Sequence, residues 1–184
     1  MKIIGISIFS IILAAATALL ISAKTAKPPA PAGLRVEIAK KDRKLSLYSN
    51  GKLIHTYRIG LGSAPEGDKT QEGDRRTPEG EYYVCSKNPQ SKFHLSLGLS
   101  YPNLKDVARG LKEKRITKAQ YNDIARALRK KARPPWNTPL GGEIFLHGNG
   151  SKTDWTWGCI ALDDADIRQL YNLVPVGTPV IIRP

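Results

Sequence analysis

Residues 34–60 read LRVEIAKKDRKLSLYSNGKLIHTYRIG, and their period decides the fold class. Leu34, Val36 and Ile38 alternate with Arg35, Glu37 and Ala39. That two-residue repeat is the pattern of a strand with one buried face. Leu45 and Leu47 continue it. Asn50-Gly51 follows, a strong hairpin signal, because both residue types tolerate the positive φ that a type I′ turn demands. Residues 53–60 then form the returning strand, so the domain begins as antiparallel β-structure.

Working outward, residues 62–80 (GSAPEGDKTQEGDRRTPEG) carry Gly, Pro and charge with no period. They form a long loop, and long ordered loops are often functional. Residues 81–86 are a further strand, and residues 94–100 alternate again on Leu95, Leu97 and Leu99. The period then changes. Thr117 and Gln120 make a capping box, with Ile116 and Tyr121 at the staple positions around it. Tyr121, Ile124, Ala125 and Leu128 form one apolar stripe, and Lys and Arg cover the other face until Pro134-Pro135. Residues 104–132 are therefore a basic helical insertion. A helix packed on the sheet is the plainer expectation; contact with an anionic wall or membrane surface is the other. Residues 143–146 form a short strand ending in His147-Gly148, and residues 159–162 are apolar again. Asp163 is expected to cap a short helix with Ile167, Leu170, Tyr171 and Val174 on one face. Residues 180–182 form the last strand. The fold class is mainly β (α+β), a sandwich or barrel with added helices.

Composition narrows the function classes. The 184 residues carry 29 Lys plus Arg against 16 Asp plus Glu, a net charge of +13. Hydrophobic residues at 41% exclude disorder along the whole length. Two cysteines make neither a disulfide scaffold nor a four-thiolate metal site, and three histidines without acidic or thiolate spacing argue against a metal. The charge suits an anionic partner: wall polymer, lipid headgroup or nucleic acid. Nucleic acid is the weakest of these, since no recognition motif for it occurs.

Residues 3–21 (IIGISIFSIILAAATALLI) carry no charge, follow Lys2 and precede Ser22-Ala23. This is an export signal; residues 1–23 are either removed or kept as a membrane anchor, since the run is long enough to span a bilayer. Residues 24–33 (KTAKPPAPAG) are a Pro/Ala linker, and residues 34–184 the folded domain.

The chemistry concentrates in residues 144–162, IFLHGNGSKTDWTWGCIAL. A His ends one apolar segment and a Cys begins another. If these are adjacent strands, the Gly-rich loop brings His147 near Cys159. A thiol needs a base to become the attacking thiolate, and imidazole has the matching proton affinity. Gly158 lets backbone approach a reacting carbonyl, and the Cys159 amide offers an oxyanion donor. An imidazolium beside the thiol is expected to lower the thiol pKa and keep Cys159 reactive below pH 8.5. On spacing alone, a core histidine and a buried thiol are the commoner account of the two residues.

At these residues the sequence resembles the L,D-transpeptidase catalytic domain, the YkuD family. The matching pieces are His147-Gly148, Thr156-Trp157-Gly158-Cys159, the Thr77-Pro78-Glu79-Gly80 segment and the closing Gly177-Thr178-Pro179-Val180 strand. Trp157 stands where the family usually has His, and Ala161 where an Arg is often found. The wording around Cys159 is similar to small exported Gram-negative members, which implies the periplasm. The resemblance implies Cys159 as nucleophile, His147 as base, Gly148 as the residue whose backbone orients the His, and Gly158 and Cys159 amides as the oxyanion site. Trp155, Thr156 and Trp157 are substrate-binding candidates, and Asp154 is either a brace for His147 or an exposed acid. Cys85 stays apart from Cys159. No cofactor and no metal are implied. The implied substrates are peptidoglycan stem peptides. A second stem peptide or a wall-anchored protein is the acceptor; water as acceptor gives a hydrolase, and a non-catalytic cationic wall-binding module is the non-enzyme alternative.

Overall fold

The computed structural model describes residues 33–184. The export segment and nearly all of the linker lie outside the described residues. Strands β1 (Leu34–Ala39), β2 (Lys44–Ser49) and β3 (Lys52–Arg58) form the expected antiparallel start. Asn50 and Gly51 turn it with φ of +49° and +78°. β4 (Gly80–Ser91) is twice the expected length, because bulges in its pairing with β5 (His94–Leu99) let it run through a stretch with no clean alternation. Helices α1 (Leu104–Lys112) and α2 (Lys118–Arg129) follow. The short strands β6 (Phe145–His147) and β7 (Ile160–Ala161), helix α3 (Asp164–Leu173) and strand β8 (Pro179–Arg183) complete the domain.

All eight strands belong to one sheet, ordered β3-β2-β1-β8-β4-β5-β6-β7. The last strand is thus central, parallel to β1 and antiparallel to β4. The sheet curls until its two ends meet. Gly60, just past β3, exchanges backbone hydrogen bonds with Ala161 of β7 at 2.9 and 2.8 Å. The architecture is therefore a curled, barrel-like sheet rather than a two-sheet sandwich. This seam needs glycine: a Cβ on Gly60 would lie 2.2 Å from the Thr153 carbonyl oxygen. Inside the curl, Val36, Ile38, Leu45, Leu47, Leu97, Leu99, Leu146 and Ile160 meet Ile167 and Leu170 of α3 and Val174 just after it.

The insertion is two helices, each closed by a capping box: Asn103 with Asp106, and Thr117 with Gln120. The apolar stripe of α2 does not lie on the sheet as expected. Ile124 joins Val107, Ile116 and Leu140 in a second small core, flanked by Leu111, Tyr121 and Leu128. Tyr82 and Tyr83 of β4 tie this unit to the sheet through Asp106 and the Ala132 carbonyl. The long loop before β4 is fastened by buried charge. Lys40 donates to the Gly67 and Thr77 carbonyls and to Glu79 Oε1, at 2.6, 3.0 and 2.8 Å. Asp68 accepts from the Glu79 amide, Lys105 and Arg109.

Candidate active site

β6 and β7 are adjacent and parallel, with His147 opposite Ala161. Cys159 stands just before β7, two positions ahead of Ala161, which places it diagonal to His147 in the register. The structure brings them onto one sheet edge without a hydrogen bond between them. The Cys159 thiol donates to the Glu143 carbonyl and accepts from the Phe145 amide, each at 3.4 Å. The His147 Nδ1–H donates to the Gly148 carbonyl at 2.7 Å. Because a carbonyl only accepts, Nε2 carries the lone pair. The ring is stacked on Phe93, 4.7 Å between centroids, and meets Trp155 edge-on at 5.6 Å.

Burial sets the protonation of both groups. It pushes the Cys159 thiol up to about 11, against the smaller opposing pulls of the Phe145 amide and the Lys69 charge. It pushes His147 below its usual value, with the Gly148 carbonyl opposing. Burial thus opposes both charges of the expected thiolate–imidazolium pair while the cleft is empty of substrate.

The 156–159 turn is built from its own hydroxyl. Thr156, buried, accepts from the Gly158 amide at 3.1 Å and donates to the Cys159 carbonyl at 2.7 Å. Its hydroxyl is spent internally, and the Gly158 amide is turned inward rather than free for an oxyanion. Gly158 has φ of +124°, a conformation L side chains rarely adopt. Trp157 is 72% exposed, beneath the Arg75 guanidinium at 4.9 Å. Trp155 faces His147, and its Nε1 donates to the Gly150 carbonyl at 3.0 Å. Asp154 neither braces His147 nor stands free. It pairs with Arg43 at 2.6 Å and accepts from the Leu61 amide at 2.9 Å, holding the loop to the barrel seam. Asp163 makes no side-chain cap. It accepts from the Ser151 amide, and Asp164 accepts from the Asn149 amide, so α3 pins the loop after Gly148 instead.

Cys159 and Trp157 line an open cleft of about 1050 Å³ with Glu143, Ile144, Trp136 and residues of α2. Lys69 also lines it and was not singled out from sequence. Its ammonium is buried, donating to Asp74 at 2.8 Å and the Gln71 carbonyl at 2.9 Å. Burial disfavours the Asp74 charge, but Lys69 and the amides of Thr70, Arg76 and Gln71 outweigh it and hold the carboxyl below its usual range. The only sequence signal for Lys69 was the length of its loop. Cys85, on β4, is a separate free thiol, which burial also pushes up to about 11.

Known proteins resemble this chain in sequence and fold. YafK of Escherichia coli strain K12, whose name places it among the L,D-transpeptidases, is 32% identical over 85 residues, covering 43% of this chain and 35% of that protein. The crystal structure of the helical cell shape determining protein Pgp2 from Campylobacter jejuni is similar with a TM-score of 0.57 and 26% identity, covering 82% of this chain and 47% of that one. Bdellovibrio bacteriovorus Bd1075 shares the fold at a TM-score of 0.52 and 24% identity, over 82% and 47% of the two chains. This chain thus spans about a third of its curated relative and half of these solved chains. With residues 33–182 matching its sequence pattern, the chain belongs to the YkuD family, the L,D-transpeptidase catalytic domain.

Proposed function

We propose that the protein is a cysteine acyltransferase acting on peptidoglycan stem peptides. The observation that carries this reading is a free thiol lining a large open cleft, with the His147 imidazole on the neighbouring strand held through Nδ1 by the Gly148 carbonyl. The Cys159 sulfur attacks the carbonyl of the amide before the terminal D-Ala, that of the diaminopimelate residue. His147 Nε2 takes the thiol proton as the C–S bond forms and gives it to the departing D-Ala amine. The Cys159 amide is the oxyanion donor, since that of Gly158 is engaged by Thr156. A second amine, from another stem peptide or a wall-anchored protein, then attacks the thioester, loses its proton to His147 and frees the thiol. Proton transfer concerted with attack suits a pair whose charges burial opposes, because no buried charge has to exist before substrate enters. The uncharged run at residues 3–21 supports export to the periplasm, where such peptides occur.

Incubation with disaccharide-tetrapeptide, followed by mass spectrometry of the products, tests the reading. Cross-linked dimer with released D-Ala is the expected result. Tripeptide alone makes water the acceptor, and unchanged substrate refutes the enzyme.

A further inference from the structure

The helical insertion contributes directly to the Cys159 cleft. Arg126 and Lys130 of α2, and Arg133 just after it, are in the same lining as the thiol. Arg126 already pairs with Asp123 at 3.1 Å. Among the described residues, Lys130 and Arg133 have no acidic partner. Arg133 is nevertheless held. Its guanidinium lies 5.0 Å over the Trp136 ring. That ring is fastened in turn, with Nε1 donating to the Tyr101 carbonyl at 3.1 Å and a T-shaped contact with Phe145 at 5.5 Å between centroids. A cation on an anchored aromatic loses little freedom when it meets an anion. Arg129 and Lys131 belong to the same basic run but do not line the cleft; the Lys131 ammonium lies over Tyr83, 5.2 Å from its centroid.

We propose that Lys130 and Arg133 form a carboxylate-recognition site in the Cys159 cleft, selecting peptides that carry free carboxylates near the bond to be cleaved. This rests on the acyl-transfer reading and names the chemistry that reading requires of its substrate. Glu72, Asp123 and Glu143 also line the cleft, but none of them pairs with Lys130 or Arg133, so both cations are available to a peptide carboxylate. The insertion then reads the substrate, and the basic run is divided between a cleft-facing pair and an outer pair.

Equilibrium binding separates this from the chemistry. The Cys159→Ala protein is titrated calorimetrically with a tetrapeptide bearing free carboxylates and with its fully amidated counterpart. The Lys130→Gln/Arg133→Gln variant is expected to bind the free acid about tenfold more weakly, the combined worth of two exposed ion pairs. Its affinity for the amidated peptide stays within about twofold on the same argument. Arg129→Gln/Lys131→Gln, which removes the same charge outside the cleft, binds both peptides as the parent does. Equal losses in the two double variants, equal losses for the two peptides, or no binding of the free acid would overturn the proposal. Carboxylate-dependent binding together with no turnover by the unsubstituted protein would refute the acyl-transfer reading alone.

Discussion

The thiol of Cys159 donates a hydrogen bond to the Glu143 carbonyl and accepts one from the Phe145 amide, so at rest it is a satisfied, half-buried group. With its pKa pushed up to about 11, alkylation of Cys159 by iodoacetamide should keep rising with pH beyond 9, instead of levelling off below 8.5. Peptide mapping of the alkylated protein reads this directly; a plateau near neutrality would mean the thiolate forms at rest after all. Catalysis is a separate matter from resting reactivity. His147→Ala should cut acyl transfer by about 10² to 10⁴-fold, the usual worth of a positioned acid–base group. Cys85→Ala should leave turnover within about twofold, since substitutions away from a site seldom move it. Loss of activity in folded Cys85→Ala would reassign the thiols. These two side chains were legible in sequence because a His-Gly and a Gly-Cys stand at the ends of apolar runs. Their protonation was not, since burial and the Glu143 carbonyl depend on how the sheet curls.

Helix α1 starts on a carboxyl that sequence spacing left unnoticed. Asp106 is fully buried, accepts from the Asn103 amide and Tyr82, and pairs with Arg109. Burial raises it to about 6, with the Asn103 amide and Arg109 opposing and Asp68 adding to the rise. A carboxyl whose folded pKa is raised favours folding when protonated, so its contribution is present below 3.8 and fades as pH climbs to about 6. Asp68 and Asp74, both lowered, act in the opposite sense and lose their contribution as pH falls. Urea unfolding of Asp106→Asn and wild type at pH 3.5 and 7 separates them. The variant should gain on wild type by roughly 2–3 kcal/mol across that interval, the value of two pKa units. A constant difference would mean Asp106 titrates as an ordinary surface acid. The barrel seam is the other element-scale test. Gly60→Ala forces a Cβ against the Thr153 carbonyl and should cost about 2 kcal/mol or more in the same assay. Strands were readable wherever alternation was clean, as in β1 and β5. β4 overran its expected end because bulges break the period, and the second core under α2 was hidden because a stripe does not say which surface will cover it.

At the scale of the molecule, the curl of one sheet determines where the Cys159 cleft lies. The ends of the sheet meet at Gly60 and Ala161, and the loop carrying Thr156, Gly158 and Cys159 hangs from that seam through Leu61, Ser63 and Asp154. The insertion then encloses the cleft from the far side of the sequence. No linear pattern connects Lys69, Trp136 and Cys159, so the cleft itself was beyond sequence reasoning while its thiol was not. The central claim is that Cys159 carries an acyl group. It is tested most directly by intact-mass spectrometry of the purified protein, quenched in acid within seconds of mixing with disaccharide-tetrapeptide. The account predicts an adduct equal to the substrate less D-Ala, localised to Cys159 and absent from Cys159→Ala. Turnover that persists in Cys159→Ala, or an adduct on any other residue, would contradict it.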